Sequence, residues 1–207
     1  RIYINDLHMF SDTLDIIRAY IYSNLKEESK IPKWIVNGNF ENTRLLFPTI
    51  SLVNFIYSKV LITKKEYVKV VALYEKSIAM AKIFPNLICE VFENIHIAIA
   101  YDNLSKRKDA VEKLEKALEI ALSDRLYMIF AENYTDIEDL LDEIYEKGNF
   151  KAQIDEIRRL QKPYYKFLKF VKKEKSRLAE LSERELEVAN LAAQGFTNNE
   201  IAKTLFV

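Results

Sequence analysis

The chain has 207 residues, 49% of them apolar and 30% charged, with 31 Lys and Arg balancing 31 Asp and Glu. This composition fits one or two folded domains, excludes a low-complexity chain, and leaves no net field that would draw the whole molecule to nucleic acid or membrane. A single cysteine, Cys89, rules out a disulfide framework and favours reducing, cytoplasmic surroundings.

The sequence opens on Arg1 rather than Met, as expected of a piece of a longer protein. No Lys-led apolar leader is present, and each apolar run meets Lys, Glu or Asn before the ~18–20 residues a membrane span requires, so no membrane partner is expected. Gly and Pro are sparse and punctuate helical periodicity at Pro32, Gly38, Pro48, Pro85, Gly148, Pro163 and Gly195. Between these breaks apolar residues recur every three or four positions. In AVEKLEKALEIAL, Val111, Leu114, Leu118 and Ala121 share one face while Glu112, Lys113, Glu115 and Lys116 fill the other. No sustained alternation reads as a strand, so the expected class is all-α.

A shift of forty residues lays YEKSIAMA (Tyr74 to Ala81) over LEKALEIA (Leu114 to Ala121), and Asn54 and Phe55 over Asn94 and Ile95. A further shift places Ala100, Leu104, Ala110 and Leu114 over Leu140, Ile144, Phe150 and Ile154. This internal repetition predicts three successive helical hairpins stacked as a solenoid. The turn KGNFKAQ and the helix KRKDAVEKLEKALEIA resemble the tetratricopeptide repeat, with a lengthened period; a HEAT-like assignment stays open.

Candidate chemistry along the hairpins is thin. Cys89 sits in NLICEVF as a small buried hydrophobe. His8 and His96 share no metal-ligand spacing, and His96 in NIHIAIAY reads as a core or groove residue. The acidic group Asp136, Glu138, Asp139, Asp142 and Glu143 reads as a solvated helix face. No nucleophile has a base beside it, no phosphate loop of the Gly-x-x-x-x-Gly-Lys type occurs, and no enzyme activity, metal site or cofactor is expected. In tetratricopeptide repeats the first helix of each hairpin lines the concave face, so the resemblance nominates Tyr57, Asn94, Tyr101, Phe130, Asn133 and Tyr134 as residues for gripping a small-molecule or peptide effector.

The last part of the chain has a different character. From Lys162 onward nine Lys and Arg face six Asp and Glu. Tyr164, Phe167, Leu168 and Val171 form an apolar helix face, and Lys166, Lys169, Lys172, Lys173, Lys175 and Arg177 project elsewhere. Then come two capping boxes, Ser182 with Glu185 and Thr197 with Glu200, separated by Gly195. Each announces a short helix: Leu186, Ala189 and Ala193 stripe the first, Ile201 and Leu205 the second. Two capped helices about a Gly-centred turn are how a helix-turn-helix domain begins.

The wording LSERELEVANLAAQGFTNNEIAKTLFV closely resembles the start of the LuxR-type (GerE) DNA-binding domain, matching at Leu181, Arg184, Glu185, Glu187, Val188, Leu191, Ala193, Gly195, Thr197, Asn198, Glu200, Ile201, Ala202 and Leu205. Ala189 stands where the family has Leu, and Asn199 where it has Lys or Arg. The family's recognition helix would follow Val207, so the resemblance implies DNA as partner through the complete domain. Thr197, Asn198, Asn199 and Lys203, with Lys172 and Lys173 upstream, are the candidate phosphate contacts, the competing readings being a plain helix cap at Thr197 and a solvated linker face for the upstream lysines.

The predicted layout is a repeat domain at 1–161, a linker helix at 162–180 and the opening of the DNA-binding domain at 181–207. Repeats running into a LuxR-type domain resemble the MalT-like regulators, which implies a bacterial, cytoplasmic, ligand-responsive transcription regulator that self-associates into homo-oligomers. The competing expectation is a repeat scaffold that binds a protein or peptide on its concave face, capped by the terminal helices.

Overall fold

The computed structural model describes residues 2–40, 45–46, 49–83, 85–179 and 182–205, with the side chains of 2–10, 175 and 177–179 outside the description. Pro48 and Leu181 of the sequence reading, and the side chains of His8, Lys175 and Arg177, therefore lie outside the description. The described structure is all-α: α1 (Ile2–Leu25), a 3-10 turn (Glu28–Lys30), α2 (Lys33–Val36), α3 (Ile50–Thr63), α4 (Tyr67–Ile83), α5 (Leu87–Asn103), α6 (Arg107–Ala121), α7 (Tyr127–Glu132), α8 (Tyr134–Glu146), α9 (Lys151–Ala179), α10 (Glu183–Ala193) and α11 (Asn198–Thr204). The chain divides into two compact units, residues 1–164 and 165–207.

In the first unit α3/α4, α5/α6 and α7–α8/α9 are the three hairpins the repetition predicts. α4 packs on α3 and α5, α6 on α5 and α8, and the first helices also meet one another, α1 on α3 and α3 on α5. The forty-residue period is written in the closures. α1, α3 and α5 each end in a left-handed residue, Lys26 (φ 57°), Lys65 (φ 60°) and Ser105 (φ 60°), spaced by 39 and 40 residues. The next residue's N–H then reaches back five positions, Glu27 to Tyr22, Glu66 to Leu61 and Lys106 to Tyr101, at 2.9, 2.8 and 2.8 Å. This is the Schellman closure, which satisfies carbonyls left without partners at a helix end.

α5 is the axis of the unit. All ten residues from Val91 to Ala100 are buried, as expected of a helix that touches α3, α4, α6, α7 and α8. Phe92 stacks on Phe55 of α3 at 4.4 Å, and Tyr20 of α1 stands edge-on to both rings at 6.2 Å. α6 presents Val111, Leu114, Leu118 and Ala121 to this core, the face its periodicity predicts. On the outer side Arg107 bonds Asp102 (2.9 Å), Glu143 (2.8 Å) and the Asp139 carbonyl (2.7 Å), tying the second hairpin to the third.

One expected break is absent. Pro163 lies inside α9 rather than between helices. A proline there removes one i→i−4 hydrogen bond and crowds the carbonyl of Arg159. The exposed position of Pro163 lets water take up that carbonyl, so the helix continues through it. Tyr164 follows immediately and donates its hydroxyl to Asn24 of α1 at 3.0 Å.

Candidate functional site

In the second unit both capping boxes form as written. Ser182 Oγ accepts the Glu185 N–H (3.3 Å) and Glu185 Oε2 accepts the Ser182 N–H (2.8 Å). Thr197 Oγ1 accepts the Glu200 N–H (3.4 Å) and Glu200 Oε2 accepts the Thr197 N–H (2.8 Å). These hydrogen bonds hold both carboxyls below the usual carboxylate range. Between the helices Gly195 turns at φ 87°, and the Phe196 N–H reaches the Leu191 carbonyl at 3.1 Å. Arg184 clasps the pair from outside: one guanidinium nitrogen pairs with Glu187 at 3.0 Å and another donates to the Leu205 carbonyl at the end of α11. Ile201 is buried, whereas α10 has no buried residue, and Leu186 and Val188 are exposed. The predicted stripe of α10 is present but uncovered among the described residues.

Residues 179–207 match the family of bacterial regulatory proteins, luxR family. No curated protein and no solved structure matches the chain.

Within this luxR-type segment, Thr197, Asn198, Asn199 and Lys203 are exposed along one turn and the helix it opens. Thr197 gives both its N–H and its hydroxyl to Glu200, so a carboxylate already occupies part of the helix N-terminus. Asn198, Asn199 and Lys203 are left facing solvent. Lys172 and Lys173 are exposed on α9.

The six effector candidates of the first unit do not converge. Tyr57 is half-buried and borders a cavity of about 330 Å³ between the end of α2, α3 and α4. Asn94 borders a different cavity of about 450 Å³, between α4, α5 and α6, where its Oδ1 accepts from Tyr74 Oη at 2.9 Å. Tyr101 lies under Lys106, whose Nζ is 5.5 Å from the ring centroid. Phe130 is fully buried, and Tyr134 is buried beside Arg158. Asn133 is used inside the protein: its Oδ1 accepts from Lys59 Nζ at 3.2 Å and its Nδ2 donates to the Ile129 carbonyl at 2.7 Å.

What sequence reasoning missed is the ionisable interior around α5. Lys59 is buried, with Nζ 5.8 and 5.9 Å from the ring centroids of Tyr20 and Phe92. Desolvation lowers its pKa to about 8, against the pull of Glu132 and Asp136. Burial likewise raises Glu132, whose carboxylate accepts the Tyr20 hydroxyl. Glu93 is buried with Oε2 3.2 Å from Ser58 Oγ and Oε1 unpartnered among the described residues, and desolvation pushes it up to about 8. His96 is fully buried with both ring nitrogens unpartnered among the described residues; burial first, and Lys59 second, hold it well below the ordinary histidine value. The one available signal was a Lys in the middle of the apolar run NFIYSKVLI. No group of three or more His, Cys, Asp or Glu able to hold a metal occurs among the described residues.

Proposed function

We propose that the chain is the effector and output part of a cytoplasmic, ligand-responsive transcription regulator, with residues 181–207 opening a LuxR-type DNA-binding domain and the hairpins of residues 1–161 forming a tetratricopeptide-like sensing and assembly domain. The observation that carries this reading is the pair of capped helices about Gly195, each with a complete capping box, within the segment that matches the luxR family. In this reading Asn198, Asn199 and Lys203, with Thr197 as the helix cap, and Lys172 and Lys173 upstream, bear on DNA phosphates, so they set affinity and its salt dependence rather than sequence choice. The role is a binding one and needs no catalytic group. The family match disfavours a repeat scaffold whose terminal helices are only a solubilising cap.

The test is fluorescence anisotropy of the protein encoded by the complete reading frame on a labelled duplex across a salt series. Binding that weakens steeply with salt, with the slope reduced by about one for each of Lys172→Gln and Lys203→Gln, supports the reading. Absence of binding at low salt sinks it.

A further inference from the structure

Two of the cavities in the first unit lie against α4 and differ in character. The larger, between α4, α5 and α6, mixes Lys82, Lys113 and Lys116 with Glu90, Glu112, Glu115 and Glu119, so its charges compensate one another. The smaller, about 330 Å³, is mainly apolar and carries cations alone at its mouth. Its size is that of a single-ring ligand.

Several features shape this smaller cavity. The rings of Phe40 and Tyr57 meet edge-on at 5.3 Å and form one wall, with Leu73 of α4 opposite. The wall depends on Gly38, which turns at φ 66° and passes so close to Tyr57 that an added Cβ would stand 2.5 Å from Oη. Lys69 and Lys76 stand two turns apart on the cavity side of α4. Glu66 already holds Lys69. Lys76 has no ion-pair or hydrogen-bond partner among the described residues. Ser77, which also lines the cavity, is buried. No Asp or Glu lines this cavity among the described residues.

We propose that this cavity binds a small monocarboxylate bearing an aromatic or branched apolar group, with the apolar part between Phe40, Tyr57 and Leu73 and the carboxylate on Lys76. Shape and charge agree: the apolar walls exclude a highly polar ligand, and the single unpaired cation at the rim selects a single negative charge. As the effector site of a regulator the proposal rests on the function proposed above; as a binding site it stands on the cavity alone.

Trp34 is the only tryptophan of the chain and lies edge-on to Phe40 at 6.1 Å, so its fluorescence reports on the wall. The 207-residue protein is titrated with phenylacetate, isovalerate and the neutral isostere phenylacetamide, with Trp34 emission and saturation-transfer NMR as readouts. Saturable binding of a carboxylate, about tenfold tighter than the amide, is expected. Lys76→Gln removes that preference, Ala72→Phe at the exposed lip blocks binding, and Lys82→Gln in the other cavity changes nothing. The proposal is overturned if neither carboxylate saturates, if amide and acid bind alike, or if Lys76→Gln and Ala72→Phe bind as the parent does. All titrations are run without DNA, so a null result removes the site and leaves the DNA-binding reading standing, while binding here with no DNA affinity does the reverse.

Discussion

Glu93 should make the protein's stability depend on pH in a way one substitution can expose. Its carboxyl is buried on α5, and its pKa is raised from the ordinary 4.5 to about 8, with desolvation the main cause and the Ser58 and Ser77 hydroxyls opposing it. A carboxyl raised on folding favours the native state most below its unfolded pKa, and that contribution is lost as pH rises toward 8. At ~1.4 kcal/mol per pH unit, the loss between pH 5 and pH 9 is on the order of 4 kcal/mol. Lys59 works in a separate window: lowered to about 8, it penalises the fold below that value and relieves it as pH rises from 8 to its unfolded pKa. His96, held low, disfavours the fold as pH falls below the ordinary histidine range. Comparing Glu93→Gln with the parent at each pH cancels both, provided they do not couple to the site. The amide keeps the shape and can use the same two hydroxyls, which donate or accept. Urea unfolding should therefore show the variant near or slightly below parental stability at pH 5 and several kcal/mol above it at pH 9. A stability difference that stays constant within ~0.5 kcal/mol between the two pH values would refute the reasoning.

Burial pushes the Cys89 thiol up to about 12, so an aromatic disulfide reagent should leave it unmodified in the native protein and react within minutes in denaturant; fast native labelling would contradict the packing of α5. Lys65→Gly and Ser105→Gly place glycine at left-handed closures and should each raise stability by ~0.5–1 kcal/mol, read as a higher thermal midpoint, with no gain counting against strain there. Ser182→Ala and Thr197→Ala remove caps whose typical worth is ~1 kcal/mol, so amide exchange in α10 and α11 should accelerate about fivefold while α5 is unaffected. Unchanged exchange would mean that other contacts hold these helices.

The elements written in local code were the ones legible in the sequence. Ser182 with Glu185 and Thr197 with Glu200 are spaced so that each carboxylate reaches its own cap, and both boxes form as read. The forty-residue offset between Tyr74 and Leu114 places both residues at equivalent buried positions of α4 and α6. The closures themselves escaped notice because Lys65 and Ser105 carry no glycine signal; tertiary packing imposes their left-handed backbone. Pro163 misled in the opposite direction, since a surface helix with water at its free carbonyl tolerates a residue that reads as punctuation. The charged interior was not legible either. A helix period says which face Lys59 shares with its neighbours, but whether that face meets solvent or a second layer depends on α1 and α7, which are distant in sequence.

α10 buries no side chain among the described residues. Its order rests on the Ser182–Glu185 capping box, the Gly195 turn, the Arg184 clasp and the partial cover of side chains such as Leu186, which stays 43% exposed. Melting such a helix newly exposes less apolar surface than melting α5 would, so its unfolding carries a smaller heat-capacity increment. A calorimetric scan should therefore show it as a shallow slope beneath the cooperative endotherm of the hairpins, already descending at temperatures where α5 is intact.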